Sequence, residues 1–229
     1  MTTLSRITLV SALLALLPAV APAADKVTRT RMLASDGINA ILIQARVGSV
    51  RLEAGEGNAI EAKVTLEAKR NSDPVSDLPD VTKVQMSATT RGDQLRLGVD
   101  EKNIEEHWIV RVPKRMFSEF EVKLGVGQGA ITAPARRITL DIGVGDAKVD
   151  SATGAITVRV GTGNAELRTA RANAGAVEAT TGVGGLTVKG VDGKVERHMV
   201  GGSIDGKGRG REPIEAKVGV GDVTVTLTE

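Results

Sequence analysis

The residues able to do chemistry in this 229-residue chain are few and dispersed. His107 follows Glu105 and Glu106 directly, and His198 is the only other histidine. Neighbours on a strand point to opposite faces, so these three cannot converge on one zinc ion, and no second histidine lies at a metal-ligand interval. Solvated side chains are the expected role of both histidines. Ser49, Ser151 and Ser203 read as turn residues, and no Gly-x-Ser-x-Gly elbow is present to make one of them a nucleophile. The chain has no cysteine, which removes thiolate chemistry, disulfides and a lipidated cysteine together.

Three polar residues share a position directly after a glycine pair: Asp146, Asn164 and Asp222, with Asp150 and Asp205 nearby. A calcium-binding β-roll would repeat a Gly- and Asp-rich nonapeptide, and a spacing of 18 residues is twice that length. The comparison fails because the other half of each unit lacks the motif, so hydrogen bonding from side chain to backbone at a turn is the expectation. Arg91-Gly92-Asp93 has the form of an integrin-binding tripeptide, but Gly-Asp between two alternating runs is also what a tight hairpin needs, and the hairpin is the preferred reading. Lys207, Arg209 and Arg211 form the most basic loop. With Arg136 and Arg137, or with Arg168 and Arg171, they make a candidate patch for anionic polysaccharide, lipid headgroups or phosphate, the plainer alternative being solvating loops.

The elements that must position these residues are written in a repeat. The pairs Gly125/Gly127, Gly143/Gly145, Gly161/Gly163, Gly182/Gly184 and Gly219/Gly221 mark corners, and Gly202 falls in line as a sixth. The second glycines are then 18, 18, 21, 18 and 19 residues apart, a solenoid period. Apolar residues alternate into each corner, as in Ile138, Leu140, Ile142, Val144, and resume one position out of phase, as in Ala147, Val149. A one-residue slip turns a strand inside out unless the backbone bends, and glycine permits the bend. The predicted fold is all-β: a single-stranded β-solenoid of about 18–21 residues per coil, closed by loops such as "APARR" and "GKGRGREP", with a rod length of roughly 25 to 30 Å at ~4.8 Å per coil. The unit "VERHMVGGSIDG" (195–206) is the exception, reading as a frayed or looped-out coil.

Residues 1–23 have the three parts of a secretory signal peptide: Arg6, the apolar run Ile7–Leu17, and Ala21-Pro22-Ala23 at the cleavage point. Residues 24–229 are expected to form one domain, with N-terminal coils and a hairpin near Gly92-Asp93 over 24–113 and regular Gly-x-Gly repeats over 114–229. No membrane span follows the leader, so an exported protein of the periplasm or cell surface is expected. Removing Arg6 leaves 29 Lys and Arg against 28 Asp and Glu, a balance of +1 that gives no footprint for nucleic acid. Trp108, Phe117 and Phe120 are the only aromatics, too few to stack bases or sugar rings.

The order "WIVRVP" (108–113), then Gly-Val-Gly-Asp-like corners, then "VGVGDVTVTL" (218–227) resembles the bacterial adhesin-like domain family related to head-GIN-type adhesins. The resemblance implies a right-handed β-helical or toast-rack fold in the cell envelope and supplies no catalytic residues. The expected function is therefore a non-enzymatic envelope scaffold or binding module without a cofactor, its partner an envelope protein or an anionic polysaccharide. A last strand ending at Glu229 would present an open edge and invite end-to-end association. The alternative is a carbohydrate-active β-helix lyase or hydrolase, which would need carboxylates gathered in one groove.

Overall fold

The computed structural model describes residues 26–69, 79–197 and 199–229, so the expected signal peptide at 1–23, most of the polar link at 71–80 and His198 lie outside the described residues. Every regular element among the described residues is a strand: β1 (Lys26–Ala34), β2 (Ala40–Ala54), β3 (Ala59–Ala68), β4 (Met86–Arg91), β5 (Gln94–Val99), β6 (Ile104–Val112), β7 (Phe117–Ile131), β8 (Ala135–Asp150), β9 (Ala155–Ala170), β10 (Ala174–Val183), β11 (Leu186–Lys189), β12 (Asp192–Arg197), β13 (Gly202–Lys207), β14 (Glu212–Val220) and β15 (Val223–Thr228).

The chain is an all-β solenoid. Each of β2, β7, β8 and β9 runs through a corner without losing its neighbours, so one continuous sheet bends into two arms. Alternation then fills the space between the arms. Ile41, Phe120, Ile138, Ile156, Ile214 and Val177 are register partners from layer to layer and form one buried column. Ile131, Val149, Leu167 and Val225 form another on the second arm. Each such side chain contributes roughly 1.5–3 kcal/mol by leaving water. Repetition of the column keeps one register down the stack, because a slip by one residue would turn every apolar group outward.

The layers do not follow chain order. From one end they run β5 with β6, then β2, β7, β8, β9, then β14 with β15, then β10 with β11. These seven layers span about 29 Å at ~4.8 Å per strand. At one end β4 pairs antiparallel with β5, and β3 and β1 pair antiparallel beyond β6; at the other, β13 and β12 pair antiparallel beyond β10. β15 is bonded on both sides, to β9 and β11, so the expected open edge at Glu229 is not where the stack ends.

Two further expectations are corrected. Gly202 is not a corner: it opens β13, whose hairpin with β12 crosses the end of the stack, because Lys194, Glu196 and Arg197 supply no apolar side chains for a coil to bury. The sixth corner is Gly48, in β2. The valine inside each glycine pair also leaves the core: Val126, Val144, Val183 and Val220 are 45–49% exposed, because the bend carries the apex residue outward and the inward phase resumes only at Ala147 or its equivalents. The segment 40–68 is a coil followed by a capping strand, since β2 pairs with β5, β6 and β7 while β3 pairs with β6 and β1. The hairpin at Gly92-Asp93 is present, with Arg91 opposite Gln94.

Candidate functional site: the corner face

The corner is a column of backbone, and only glycine fits it. Gly48, Gly127, Gly145, Gly163, Gly221 and Gly184 all have φ between +129° and +137°. A Cβ on any of them would also run into the backbone of the layer before: Gly127 onto the Gly48 carbonyl, Gly145 onto Gly127, Gly163 onto Gly145, Gly221 onto Gly163. The first glycines of the pairs make a second column. A Cβ on Gly143 would stand 2.6 Å from the Gly125 carbonyl oxygen, and one on Gly219 would stand 2.6 Å from that of Gly161. Between the two columns runs the valine ridge, with Thr162 taking the same place in β9.

An open groove of about 1090 Å³ lies on the first-arm side of this ridge, floored by Gly125, Gly143, Gly161, Gly219 and Gly182. Its wall is a charged row in register, Lys123, Asp141, Arg159 and Lys217. The charges offset one another: Lys123 meets Glu121 at 2.7 Å, Arg159 meets Glu215 at 3.2 Å, and Lys217 meets Glu215 and Glu178 at 2.9 Å. The hydrogen bond from Lys217 holds the Glu215 carboxyl below its ordinary range, while burial pushes Asp141 above its own. Arg159 stands 3.8 Å from Asp141, an ion pair too long to be a hydrogen bond.

Glu106 closes one end of this groove and is 1% exposed. It stands in register with Gly48, at the corner position of a layer that has no glycine pair. Its Oε2 accepts from Trp108 Nε1 at 2.9 Å and its Oε1 from the Arg46 amide at 3.3 Å, yet burial outweighs these bonds and raises its pKa. Glu106 and Asp141 sit three strand steps apart, about 14 Å along the stack, beyond the separation of carboxylates that share a glycosidic bond.

The second-arm side carries a groove of about 830 Å³ along a polar ladder. His107, Ser49, Gln128, Asp146 and Asn164 are successive register partners, and Asp222 follows. Asn164 Nδ2 donates to Asp146 at 2.9 Å, the Asp222 amide donates to Asn164 Oδ1 at 3.2 Å, and the Gly185 amide donates to Asp222 Oδ1 at 2.7 Å. The side-chain-to-backbone bonding expected at the turn is thus present, extended into a chain from one coil to the next. Among the described residues no three His, Asp or Glu side chains gather as a metal site.

The structure also unites residues that the sequence kept apart. Ser49 Oγ and His107 Nδ1 are 2.9 Å apart, and His107 Nε2 lies 3.5 Å from Glu105 Oε1. The signal was in the register, not the spacing: a partner 58 residues away becomes adjacent only when β2 lies beside β6. Ser49 is on a strand with parallel neighbours on both sides, so the surrounding backbone amides are spent on the ladders instead of forming an oxyanion hole.

The basic residues are spread along the stack. Arg136 and Arg137 start β8, where Arg137 lies 3.8 Å from Glu119, whereas Lys207 ends β13, four strand steps or about 19 Å away. Arg209 and Arg211 border the 171–173 turn; Arg209 lies 3.6 Å from Glu229, and Arg171 binds both Glu229 and Asp192. All three aromatics are buried, Trp108 at 1% and Phe117 and Phe120 at 0% exposure, which leaves no ring on the surface for stacking.

A solenoid of stacked glycine corners with a ridge and two flanking grooves is the class that fold and surface define. The Toastrack DUF4097 family model matches residues 38–229, and the chain belongs to that family. Among solved structures it is similar to a "putative cell adhesion protein" from Clostridium sporogenes, with a TM-score of 0.57 at 14% identity, covering 89% of this chain and 100% of that one. A "putative adhesin" from Bacteroides fragilis matches with a TM-score of 0.33 at 11% identity, over 90% of this chain and 99% of that one. Among curated proteins none matches.

Proposed function

We propose that this domain is a non-enzymatic, exported protein of the cell envelope, periplasmic or surface-exposed, whose corner face is an adhesin-like binding surface for an extended polymer. The observation that carries the reading is the corner face itself. A line of exposed apex residues, Val126, Val144, Thr162, Val220 and Val183, flanked by a groove on each side, repeats at the strand interval over five layers. Such a surface suits a linear ligand that presents similar groups at regular steps. The leader-like residues 1–23 support export, and the fold shared with the Clostridium protein, named for cell adhesion, supports the adhesin-like reading. The carbohydrate-active enzyme is disfavoured by the separation of Glu106 from Asp141 and by the mutual neutralisation of the groove charges.

Titration of the full chain with polygalacturonate, an anionic polysaccharide, tests this reading. Binding that weakens with added salt and with Val144→Glu supports it, the second because that change sets a like charge on the ridge. Absence of binding, or release of reducing ends from the polymer, contradicts it. Cell fractionation that leaves the chain in the cytoplasm contradicts the export half independently.

A further inference from the structure

The order of the layers places the last coil in a slot. β14 and β15 lie between β9 on one side and β10 with β11 on the other, although β10 to β13 precede them in the chain. Both walls hold the insert through parallel ladders in a single phase. Ile214 pairs with Ile156 and Val177, Val218 with Val160 and Thr181, Val220 with Thr162 and Val183, and Val223 with Ala165 and Leu186. The insert is fully committed to the core: Ile214, Ala216, Val218, Val223, Val225 and Leu227 are all buried.

Walls and insert repeat one pattern of inward alternation and corner glycine, and the ties beyond it, Arg159 to Glu215, Lys217 to Glu178, Asp222 to Asn164 and Gly185 to Asp222, join groups that every copy of the chain carries. Nothing in it separates this chain's own coil from the identical coil of a neighbouring copy. The connection to the preceding strand is residues 208–211, folded back onto the 171–175 turn. Gly208 donates to Gly175 at 2.9 Å, Arg209 to Arg171 at 2.9 Å, Gly210 to Ala174 at 2.7 Å and Arg211 to Asn173 at 3.1 Å. Released from that turn, the four residues reach about 13–14 Å.

We propose that the coil at residues 212–228 exchanges between copies of this chain: β14 and β15 of one copy fill the β9/β10–β11 slot of a second, and the second returns its own coil to the first. The reciprocal dimer keeps every ladder and every buried side chain of the monomer and changes only the path of 208–211, so exchange requires no new interface. This goes beyond the binding role proposed above and does not depend on it.

Because the chain has no cysteine, introduced thiols report without background. Thr162→Cys and Val220→Cys are made in separate copies, the second carrying an affinity tag, mixed at high concentration in mild denaturant, returned to buffer and oxidised. Thr162 and Val220 are register partners across the slot, within disulfide reach for adjacent strands. Val144→Cys replaces Thr162→Cys as the collision control, since it is as exposed as Val220 but lies two layers from it. Exchange predicts about tenfold more mixed disulfide from the Thr162→Cys mixture than from the control. Equal yields, or no mixed product, overturn the proposal. A single chain carrying both changes must close its disulfide internally, and failure to do so overturns the slot on which the proposal stands.

Discussion

Gly145 lies in register with Gly127, and its Cα faces the Gly127 carbonyl so closely that a methyl group in place of hydrogen would overlap that oxygen. Its φ of +134° adds a second barrier, since L side chains rarely adopt that conformation. Gly145→Ala is therefore expected to destabilise the fold by about 3 kcal/mol or more, combining backbone strain with a displaced layer. Gly92→Ala is the comparison: Gly92 also has positive φ, at 60°, but nothing lies within 4 Å of its missing Cβ. Its cost should stay near 1 kcal/mol, which urea unfolding of the two variants can separate.

Glu106 should make stability depend on pH in the sense opposite to a salt-bridged acid. Burial raises its pKa in the folded chain, so the folded state keeps the proton to higher pH than the unfolded state does. The contribution is present at acid pH and is lost as pH rises from the ordinary glutamate range near 4.5 through the raised value. Glu106→Gln removes that titration. The variant should gain stability relative to the parent as pH rises toward neutrality, a trend that fluorescence of Trp108, the one tryptophan, can follow.

The polar ladder predicts coupling between coils. Asn164→Ala removes its bonds with Asp146 and with the Asp222 amide and should cost about 1 kcal/mol, whereas Asp146→Ala, which loses one exposed bond, should cost less. In the double variant the two costs should fall short of their sum, as a double-mutant cycle measures.

Deleting residues 212–229 separates this stack from a solenoid in chain order, where loss of the last coil would merely shorten the rod. Here the deletion strips the ladders from both β9 and β10–β11. The truncated chain is expected to lose cooperative unfolding and to bind a hydrophobic dye, and a clean transition close to that of the full chain would contradict the order of layers.

The alternating strands and five of the six corners were legible in the sequence because alternation and glycine spacing are local, whereas Gly202 shares the spacing without being a corner and Gly48 is a corner that lacks a glycine pair. The ladder position of Asp146, Asn164 and Asp222 was legible too, since it follows from the corner alone. The order of layers was not: Ile156, Val177 and Ile214 belong to coils of the same pattern, and pattern cannot say which coil lies beside which. The outward turn of Val144 was hidden because a valine at the apex of a bend looks like one more member of an alternating run. The Ser49–His107 pair was hidden for the first reason, since it exists only once β2 is known to lie beside β6.

Disulfide trapping within one chain tests the stacking of corners and its order most directly. Val183 and Val220 are register partners, as are Val220 and Thr162, which puts Thr162 and Val183 two strands or about 10 Å apart. Val183→Cys with Val220→Cys should therefore close a bond on mild oxidation, while Thr162→Cys with Val183→Cys, beyond the reach of a disulfide, should leave both thiols free. Rapid closure of the second pair and not the first would show coils piled in chain order and contradict the architecture.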